Sequence, residues 1–483
     1  MKALVDLLGN VKVDHLEGAA DRTVSGITYD SREVKAGSLF FAVKGTRVDG
    51  HNFIDQVIEK GANIIVCEHL PQTINPNVTY IQVPDSSYTS GTIASNWFGN
   101  PSQKLKLVGI TGTNGKTTTV TLLFNLFREL GYHTGLLSTI LNRVDDEIIP
   151  STHTTPDAIN LNHLLNEMVE KSCSYCFMEV SSHAIVQNRI AGLTFAGGIF
   201  SNITHDHLDF HKTFEEYLKA KKRFFDELPS TAFALTNIDD RNGMVMLQNT
   251  KASKHTYSFQ KLADFKGRFI EAPLDGLHLD LDGNEIWCRL VGRFNGYNLM
   301  AAYAASVLLE QDPTEVLTIL SNLESVEGRF DYIKSPQGII GIVDYAHTPD
   351  ALQNVLETIN QLRSGNEMLI TVVGCGGDRD KAKRPVMARI AARLSDRVIL
   401  TSDNPRSEVP EQIISEMLAG VEKEFARNVL NITDRNDAIR TACAMSRDKD
   451  VILVAGKGHE KYQDINGVKH PFDDKEILKK YLL

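Results

Sequence analysis

The run Gly109-Ile-Thr-Gly-Thr-Asn-Gly-Lys-Thr-Thr118 is the most informative stretch of this chain. The apolar residues 105–110 predict a buried strand leading into it, and leucines at helical spacing after it predict a helix. A glycine-rich loop between a strand and a helix presents backbone N–H groups and a positive helix terminus, which together bind phosphate. Here Lys116 would neutralise phosphate oxygens and Thr117 would reach Mg²⁺. Residue 110 is isoleucine where the strict phosphate-loop pattern has glycine. This departure leaves an ordinary tight turn as an alternative, but a weaker one.

The length and charge of the chain limit its function class. Its 483 residues correspond to roughly three domains at about 150 residues each. The 51 Lys and Arg against 61 Asp and Glu leave a net charge of −10, which argues against a nucleic-acid coat, because that needs a basic surface. No apolar run approaches the ~18–20 residues of a membrane span, and Asp6 lies where a secretory signal would be apolar. We therefore expect a cytoplasmic protein with no membrane span and no nucleic-acid partner.

The six cysteines predict buried, reduced thiols, because most of them lie within strand-like apolar runs. Cys173 and Cys176 form a C-x-x-C pair, which is half of a zinc site and only weakly indicates redox chemistry. Cys176 opens the apolar run of a predicted strand, so a structural role for the pair is favoured.

Strand-like and helical patterns alternate along the chain, which predicts βαβ units with mainly parallel sheets and hence an α/β fold. Three zones differ in pattern: a small α/β unit at residues 1–98, a zone with the phosphate loop at 99–330, and a further set of βα units at 331–483. The predicted strands span residues 38–43, 63–67, 105–110, 175–180, 198–202, 232–237, 338–343, 368–373, 397–400 and 451–455. The predicted helices span residues 53–60, 85–97, 294–309 and 350–362.

Ionisable residues follow further strands of the second zone. Glu179, in Met178-Glu-Val-Ser-Ser-His183, lies where a phosphate-loop protein places its metal-binding acid, although alone it could be a surface acid. The segment Asn202-Ile-Thr-His-Asp-His-Leu-Asp209 offers metal ligands or a charge sensor at the same sheet edge. Lys221 belongs to the basic segment Lys219-Ala-Lys-Lys-Arg223, where the residues alone favour a solvent-exposed helix face.

Three charged loops follow three predicted strands of the third zone. They are Gly374-Cys-Gly-Gly-Asp-Arg-Asp380, Thr401-Ser-Asp-Asn-Pro-Arg-Ser-Glu408 and Gly456-Lys-Gly-His-Glu460. Ligands of open α/β sheets bind at the carboxyl ends of the strands, so these loops are expected to converge on one site. Their mixture of acids and arginines suits a zwitterionic ligand such as an amino acid, whereas a set of merely charged surface loops is the weaker alternative.

Together these motifs resemble those of the Mur ligase family of peptidoglycan synthesis, over essentially the whole chain. Further matching motifs are Gly292-Arg-Phe-Asn-Gly-Tyr-Asn298, Gly328-Arg329 and Asp344-Tyr-Ala-His-Thr-Pro349. The resemblance is closest to the members that add the third residue of the stem peptide, through His153-Thr-Thr155, Val180-Ser-Ser-His183, Gln187-Asn-Arg189 and Asp403-Asn-Pro-Arg406. His153 stands where some relatives have asparagine.

The resemblance implies a three-domain architecture: a UDP-N-acetylmuramoyl-binding domain at residues 1–98, a central ATP-binding domain at 99–330 and a Rossmann-like amino-acid-binding domain at 331–483. It also implies roles for individual residues. ATP would bind Gly112, Thr113, Asn114, Gly115, Lys116, Thr117, Thr118, Asn295, Arg329 and Asp344. The muramoyl dipeptide would bind Ser31, at its uridine end, and Thr154, Thr155, Ser181, Gln187 and Arg189. The incoming amino acid would bind Arg379, Asp403, Asn404, Pro405, Arg406, Gly456 and Glu460. Mg²⁺ would bind Thr117, Glu179, His207 and Lys221, the last as a carbamate; Lys116, Glu179, His207 and Lys221 would be the catalytic residues.

The implied activity is an ATP-dependent ligation that adds an amino acid to the D-Glu γ-carboxylate of UDP-N-acetylmuramoyl-L-alanyl-D-glutamate through an acyl phosphate. Family members usually add meso-2,6-diaminopimelate or L-lysine, and lysine lacks the distal carboxylate. An arginine pairs with such a carboxylate through two hydrogen bonds, so Arg406 favours diaminopimelate, with L-lysine as the alternative. A folate polyglutamate ligase and a non-catalytic nucleotide-binding regulator are more distant alternatives. We expect a monomer that acts on these small molecules and needs Mg²⁺.

Overall fold

A computed structural model describes residues 1–45, 48–151, 154–204, 208–273 and 276–483, with the backbone alone at 208 and 209. The chain forms two compact units. The first contains the described residues of 1–203 and 208–264 together with Ala304–Gln311, and the second contains those of 265–303 and 312–483. Among the described residues, no helix has the length and apolar composition needed to cross a membrane.

The first unit begins with a five-stranded sheet. Its strands lie in the order His15–Glu17, Thr79–Gln82, Ile64–Cys67, Ser38–Phe41 and Gly26–Thr28. The first pair is antiparallel and the others are parallel. All four residues of Ser38–Phe41 are buried, because side chains pack on both faces of this strand. Two short strands, Lys2–Ala3 and Thr23–Val24, pair beside this sheet, and the helical segments are Leu4–Leu8, Gly50–Phe53, Ile54–Glu59, Ser86–Trp97 and Pro101–Gln103.

A second sheet of the first unit is parallel over most of its width. Its strands lie in the order Glu147–Pro150, Leu141–Val144, Thr134–Leu137, Tyr175–Glu179, Lys106–Thr111, Gly197–Phe200, Phe233–Asn237 and Ser253–Ser258, and only the first two run antiparallel to their neighbours. The helices are Lys116–Glu129, Ala158–Glu170, Ser182–Val186, Leu208–His211, Phe214–Asp226 and Gly243–Met246. Because Lys106–Thr111 has a parallel neighbour on each side, the residues after three adjacent strands meet at one edge.

The second unit contains a six-stranded sheet and an antiparallel ribbon. The sheet order is Asp331–Lys334, Ile340–Asp344, Val451–Ala455, Leu369–Cys375, Arg397–Ser402 and Val429–Asn431, and only the first pair is antiparallel. Apolar side chains cover both faces of this sheet. The ribbon consists of Phe265–Glu271, Leu277–Leu281 and Asn284–Cys288, and a small hairpin pairs Tyr462–Ile465 with Val468–Pro471. The helical segments are Pro313–Asn322, Pro349–Leu362, Lys383–Leu394, Pro410–Leu418, Ala426–Asn428, Arg435–Met445 and Asp474–Leu482, and Arg293–Leu308 begins in this unit.

The predicted α/β fold with mainly parallel sheets is confirmed, and every predicted strand and helix is present with bounds within two residues. All six cysteines are free thiols. Burial raises the pKa of Cys173 to about 11 and also raises the pKa of Cys176 well above its ordinary value, which opposes thiolate chemistry and agrees with a structural role.

Candidate active site

The phosphate loop lies between the strand Lys106–Thr111 and the helix Lys116–Glu129, as predicted. A Cβ atom on Gly112 would lie 2.0 Å from the Ser201 hydroxyl oxygen, so only glycine fits there. The Lys116 ammonium donates to the carbonyl oxygens of Gly112 and Thr113, at 3.0 and 2.8 Å. The loop therefore places a cation beside backbone N–H groups at a helix N-terminus, which is the arrangement that binds phosphate.

Glu179 ends the neighbouring strand and is 1% exposed. Its Oε1 atom accepts hydrogen bonds from the Thr117 hydroxyl and the Thr139 N–H, both at 2.8 Å. Its Oε2 atom accepts from the Thr139 hydroxyl at 3.2 Å. A buried carboxylate beside a hydroxyl at the phosphate loop supplies the hard oxygen donors that Mg²⁺ prefers. Among the described residues, no group of three His, Cys, Asp or Glu is arranged to hold a metal ion.

Lys221 corrects an expectation from the sequence. The exposed-face interpretation of its helix holds for Lys219, which pairs with Glu215 at 3.1 Å, but it is wrong for Lys221, which is only 1% exposed. The Lys221 ammonium donates to the Gly112 carbonyl oxygen at 2.8 Å and lies 4.6 Å from the centre of the Tyr217 ring. Lys221 lies on the buried face of the helix, together with Tyr217 and Phe224. The helix therefore directs this one basic side chain inward, to the phosphate loop.

Residues proposed for the muramoyl dipeptide lie next to Glu179. The Thr155 hydroxyl donates to the Glu179 carbonyl oxygen at 2.8 Å, and the Thr155 carbonyl accepts from Arg189 at 2.7 Å. The Arg189 guanidinium also donates to the Gln187 side-chain oxygen at 3.0 and 2.7 Å. Ser181 caps the helix Ser182–Val186 and lies 3.5 Å from the Thr155 hydroxyl. These four side chains thus form one polar strip at the sheet edge.

Two further candidates lie at different places. The Thr154 hydroxyl lies at hydrogen-bond distance from the Thr139 hydroxyl, 3.1 Å away, which joins it to the Glu179 contacts. Ser31 lies in a loop of the first sheet, and its carbonyl accepts from Lys60 at 2.8 Å. No hydrogen bond between described residues joins Ser31 to the strip.

Sequence reasoning missed Thr139 and Asp157. Thr139 holds the Glu179 carboxylate by two hydrogen bonds, and Asp157 accepts one from the Tyr29 hydroxyl. Asp157 also caps the helix Ala158–Glu170, which fixes the carboxylate. Only the helix-capping pattern could have indicated Asp157, and nothing in the sequence distinguishes Thr139 from other threonines.

His207 belongs to the proposed metal ligands, and its motif includes His205 and Asp206. All three lie outside the described residues, as does His153 of the proposed dipeptide motif. Their roles stay predictions.

In the second unit, Asn295, Arg329 and Asp344 were proposed to contact the nucleotide. The Asn295 side-chain amide donates to the Val291 carbonyl oxygen at 2.8 Å. The Arg329 guanidinium lies 4.9 Å from the centre of the Tyr345 ring. The Asp344 carboxylate accepts from the Phe330 N–H at 2.7 Å, and burial raises the pKa of Asp344 to about 6.

The three charged loops of the second unit are in contact with one another. The Gly456 N–H, directly after the strand Val451–Ala455, donates to the Asp344 carbonyl at 3.0 Å. The Gly377 N–H donates to the Asn404 carbonyl at 2.9 Å, which joins two of the three loops. Asn404 in turn donates from its side-chain amide to Glu460 at 2.7 Å. Parallel strands end at one edge, so loops far apart in sequence come together there.

Arg406 is held in this cluster by its backbone and its side chain. Its φ of +49° is in the left-handed region, and its guanidinium donates from one nitrogen to the Gly377 carbonyl at 2.6 Å. Its backbone N–H donates to the Asp464 carbonyl at 2.9 Å. No other hydrogen bond joins its guanidinium to a described residue. Arg379 is exposed in the neighbouring loop. Both arginines are therefore available to an anionic ligand.

Comparison with known proteins agrees with this geometry. Residues 23–95 match the Mur ligase family catalytic domain, 110–306 the Mur ligase middle domain, and 328–458 the glutamate ligase domain of Mur ligases. The chain belongs to the Mur ligase family. Over 476 residues it is 57% identical to the UDP-N-acetylmuramoyl-L-alanyl-D-glutamate--2,6-diaminopimelate ligase of Phocaeicola vulgatus, covering 99% of this chain and 98% of that protein. It is 58% identical to the protein of the same name from Cytophaga hutchinsonii, with the same coverage.

The structure is similar to solved Mur ligases. A solved structure of a UDP-N-acetylmuramoyl-L-alanyl-D-glutamate--2,6-diaminopimelate ligase matches with a TM-score of 0.70 and 31% identity, covering 100% of this chain and 98% of that one. A folylpolyglutamate synthase from Thermotoga maritima has a TM-score of 0.59 at 19% identity and covers 76% of this chain and 89% of that one, so the two share a fold. The predicted family and its three-domain α/β architecture are confirmed.

Proposed function

We propose that this Mur ligase adds meso-2,6-diaminopimelate to the D-Glu γ-carboxylate of UDP-N-acetylmuramoyl-L-alanyl-D-glutamate, with ATP as the energy source. The observation that carries the amino-acid specificity is Arg406, whose guanidinium is fixed among the three charged loops with one nitrogen on the Gly377 carbonyl. The full-length relatives at 57–58% identity carry the name of this activity.

The reaction needs an activated carboxylate, because a free carboxylate is a poor electrophile. Its oxygen attacks the γ-phosphorus of ATP, which gives an acyl phosphate and ADP. The neutral amine of the amino acid then attacks the acyl carbon, and the tetrahedral intermediate expels phosphate and loses a proton to give the amide. Lys116 stabilises the charge that moves onto the transferred phosphoryl oxygens. No protein nucleophile is required, because positioning and electrostatic stabilisation suffice.

Thr117 and Glu179 are the described residues that would hold Mg²⁺, since their oxygens are 2.8 Å apart at the phosphate loop. When bound, the ion supplies positive charge that stabilises the phosphoryl oxygens. Thr139 orients Glu179 through its N–H and its hydroxyl, so the carboxylate is held before any ligand arrives. His207 is proposed as a further ligand by resemblance.

We propose that Lys221 is carbamylated in the active enzyme. The ammonium first loses one proton, and the neutral amine then adds to CO₂, forming an N–C bond and releasing a second proton, so that a cation becomes an anion. Its nitrogen lies at the phosphate loop, 2.8 Å from the Gly112 carbonyl oxygen, where an anion could join the metal site and an ammonium would repel the ion. The residue is 1% exposed, so bulk water does not compete for the group.

The remaining assignments complete the proposal. Residues 1–98, 99–330 and 331–483 are proposed to bind the UDP-sugar, ATP and the amino acid. Ser31 and the strip around Thr155 would hold the UDP-linked dipeptide, and Arg379 and Glu460 would contact the amino acid together with Arg406. We propose a cytoplasmic monomer that acts on small molecules and not on nucleic acid.

The test is a single ligation assay that offers diaminopimelate and L-lysine side by side. ATP, Mg²⁺ and UDP-N-acetylmuramoyl-L-alanyl-D-glutamate are supplied, ADP release is followed, and the product mass identifies the residue added. We expect diaminopimelate to be preferred. A preference for lysine would overturn the amino-acid assignment, and ATP hydrolysis without a new amide would overturn the ligase assignment.

A further inference from the structure

We propose that Lys457 is a positioning residue of the amino-acid site, which fixes the Glu460 carboxylate so that it meets an ammonium group of the substrate. The inference rests on the proposed function, in which the amino acid binds among the three charged loops. Lys457 lies in one of these loops, between the proposed contacts Gly456 and Glu460.

The backbone turns the Lys457 side chain into the protein. Gly456 and Gly458 flank it with φ values of +116° and +53°, both in the left-handed region. A Cβ atom would lie 2.7 Å from Asp403 Oδ2 at Gly456 and 2.7 Å from the Tyr345 Cβ at Gly458, so both positions need glycine. The two glycines allow a tight path on which Lys457 is completely buried.

The buried ammonium binds two groups of the site. Lys457 Nζ donates to Asn404 Oδ1 at 2.9 Å and to Glu460 Oε2 at 3.2 Å. Asn404 Nδ2 donates to the same Glu460 oxygen at 2.7 Å, and the Asp464 N–H donates to Asn404 Oδ1 at 2.9 Å. Each atom of the Asn404 amide therefore has a partner of the right type, which defines the orientation of the amide.

This network leaves one oxygen of Glu460 for a ligand. Both hydrogen bonds are to Oε2, while Oε1 makes none to a described residue, and the side chain is 18% exposed. Lys457 compensates part of the cost of burying the carboxylate and holds it in one rotamer. An α-amino acid brings an ammonium group, which such a carboxylate oxygen accepts. Arg406, on the neighbouring loop, is suited to a carboxylate of the same zwitterion.

Lys469 provides a matched control. Lys457 and Lys469 both lie near the Tyr462 ring, with their nitrogens 5.5 and 4.2 Å from its centre. Lys469 is exposed and makes no hydrogen bond to Asn404 or Glu460. Lys469→Met therefore reports the effect of removing a lysine charge near the Tyr462 ring without removing the contacts to Asn404 and Glu460.

The experiment measures KM for the amino acid, for ATP and for the UDP-linked dipeptide in Lys457→Met, Lys457→Gln and Lys469→Met. We expect Lys457→Met to raise KM for diaminopimelate at least 10-fold, with the other two KM values within twofold. Lys457→Gln keeps a hydrogen-bond donor without the charge, so its KM should lie between those of Lys457→Met and the unchanged enzyme. Lys469→Met should be unchanged.

Equal changes in all three KM values would show a merely structural role and would overturn the inference, as would a KM for diaminopimelate within twofold in Lys457→Met. If Lys457→Met does not fold, the same criteria apply to Lys457→Gln, with a threshold of threefold. If the unchanged enzyme uses L-lysine in place of diaminopimelate, the proposed function fails, and the inference is tested with L-lysine, which also carries an α-ammonium group.

Discussion

Replacing Arg406 by alanine tests the proposed specificity most directly. Among the described residues, the guanidinium has one hydrogen bond, from a terminal nitrogen to the Gly377 carbonyl at 2.6 Å. Its remaining N–H groups could therefore form two parallel bonds to the distal carboxylate of diaminopimelate. Alanine removes these groups without changing the backbone, because the φ of +49° is equally unfavourable for both residues.

The magnitude follows from the number of bonds lost. A hydrogen bond to a charged group contributes about 1.5–3 kcal/mol. Two such bonds, which are not fully additive, correspond to about 3–4 kcal/mol. At about 1.4 kcal/mol for each factor of ten, kcat/KM for diaminopimelate should fall roughly 100- to 1000-fold. Arg406→Lys keeps the charge but loses the paired geometry, so its loss should be smaller.

The assay is ADP release with saturating UDP-linked dipeptide, at varied diaminopimelate, L-lysine or ATP. We expect KM for ATP to stay within twofold and the preference for diaminopimelate over lysine to fall. Arg393→Ala is the matched control, since Arg393 is exposed and pairs only with Glu422 among the described residues. Equal losses with diaminopimelate and ATP, or an unchanged amino-acid preference, would refute the role of Arg406.

Three other variants test the first unit and the buried carboxyl group. Glu179→Gln keeps a group that can bond to Thr139 but removes the charge, so Mg²⁺-dependent turnover should fall at least about 100-fold while the thermal midpoint changes little. The same Mg²⁺ concentration dependence as in the unchanged enzyme would count against a metal role. Lys221→Ala should abolish ligation, and the unchanged enzyme should lose activity in CO₂-depleted buffer and regain it with bicarbonate; full activity of the variant without bicarbonate dependence would exclude the carbamate. Asp344→Asn tests the pH dependence of stability. The pKa of Asp344 is about 6 in the folded protein and 3.8 when unperturbed, so the protonated carboxyl group contributes most to folding stability below pH 4. This contribution, about 3 kcal/mol, is lost as the pH rises through 6. The thermal midpoint of the unchanged protein should therefore fall relative to Asp344→Asn between pH 4 and pH 7, and parallel midpoints would contradict the raised pKa.

Much of the fold could be predicted because the parallel strands are buried on both faces. Such strands appear as uninterrupted apolar runs, and Val451–Ala455 was predicted with its observed bounds. The antiparallel elements were not predicted. In Leu277–Leu281, buried and partly exposed residues alternate, and its polar positions break the apolar run. The hairpin Leu141–Val144 with Glu147–Pro150 is similarly mixed, so its pairing depends on the neighbouring strand Thr134–Leu137.

The residues of the candidate site could be predicted where backbone geometry restricts the residue type, as it does at the glycines of the phosphate loop. They were harder to predict where a residue's place in the site depends on which side chains are buried. The phosphate loop follows from glycines at fixed positions, and Gly112 has no space for a Cβ atom. Composition could not identify Lys221 as the inward-facing lysine, because Lys219 and Lys222 on the same helix form ion pairs with acids of that helix instead. Only the packing of the helix on the sheet separates them. Thr139 was invisible for the same reason, since its role comes entirely from facing Glu179.

The arginines of the second unit show why a motif alone does not create a specific site. Arg384 is completely buried and binds Glu408, whose pKa the guanidinium lowers to about 2. Glu408 accepts from the Asp378 N–H at 2.6 Å, and the Asp378 carboxylate accepts from the Ser407 hydroxyl at 2.7 Å. These bonds join the loop after one strand to the loop that contains Arg406. The buried Arg384 therefore helps to set where the half-buried Arg406 lies, although Arg384 is 22 residues earlier in the chain and outside every motif. An Asp-Asn-Pro-Arg loop without that support would have the same charge but not the same fixed geometry, so under the proposed function the specificity for diaminopimelate would depend on both Arg384 and Arg406.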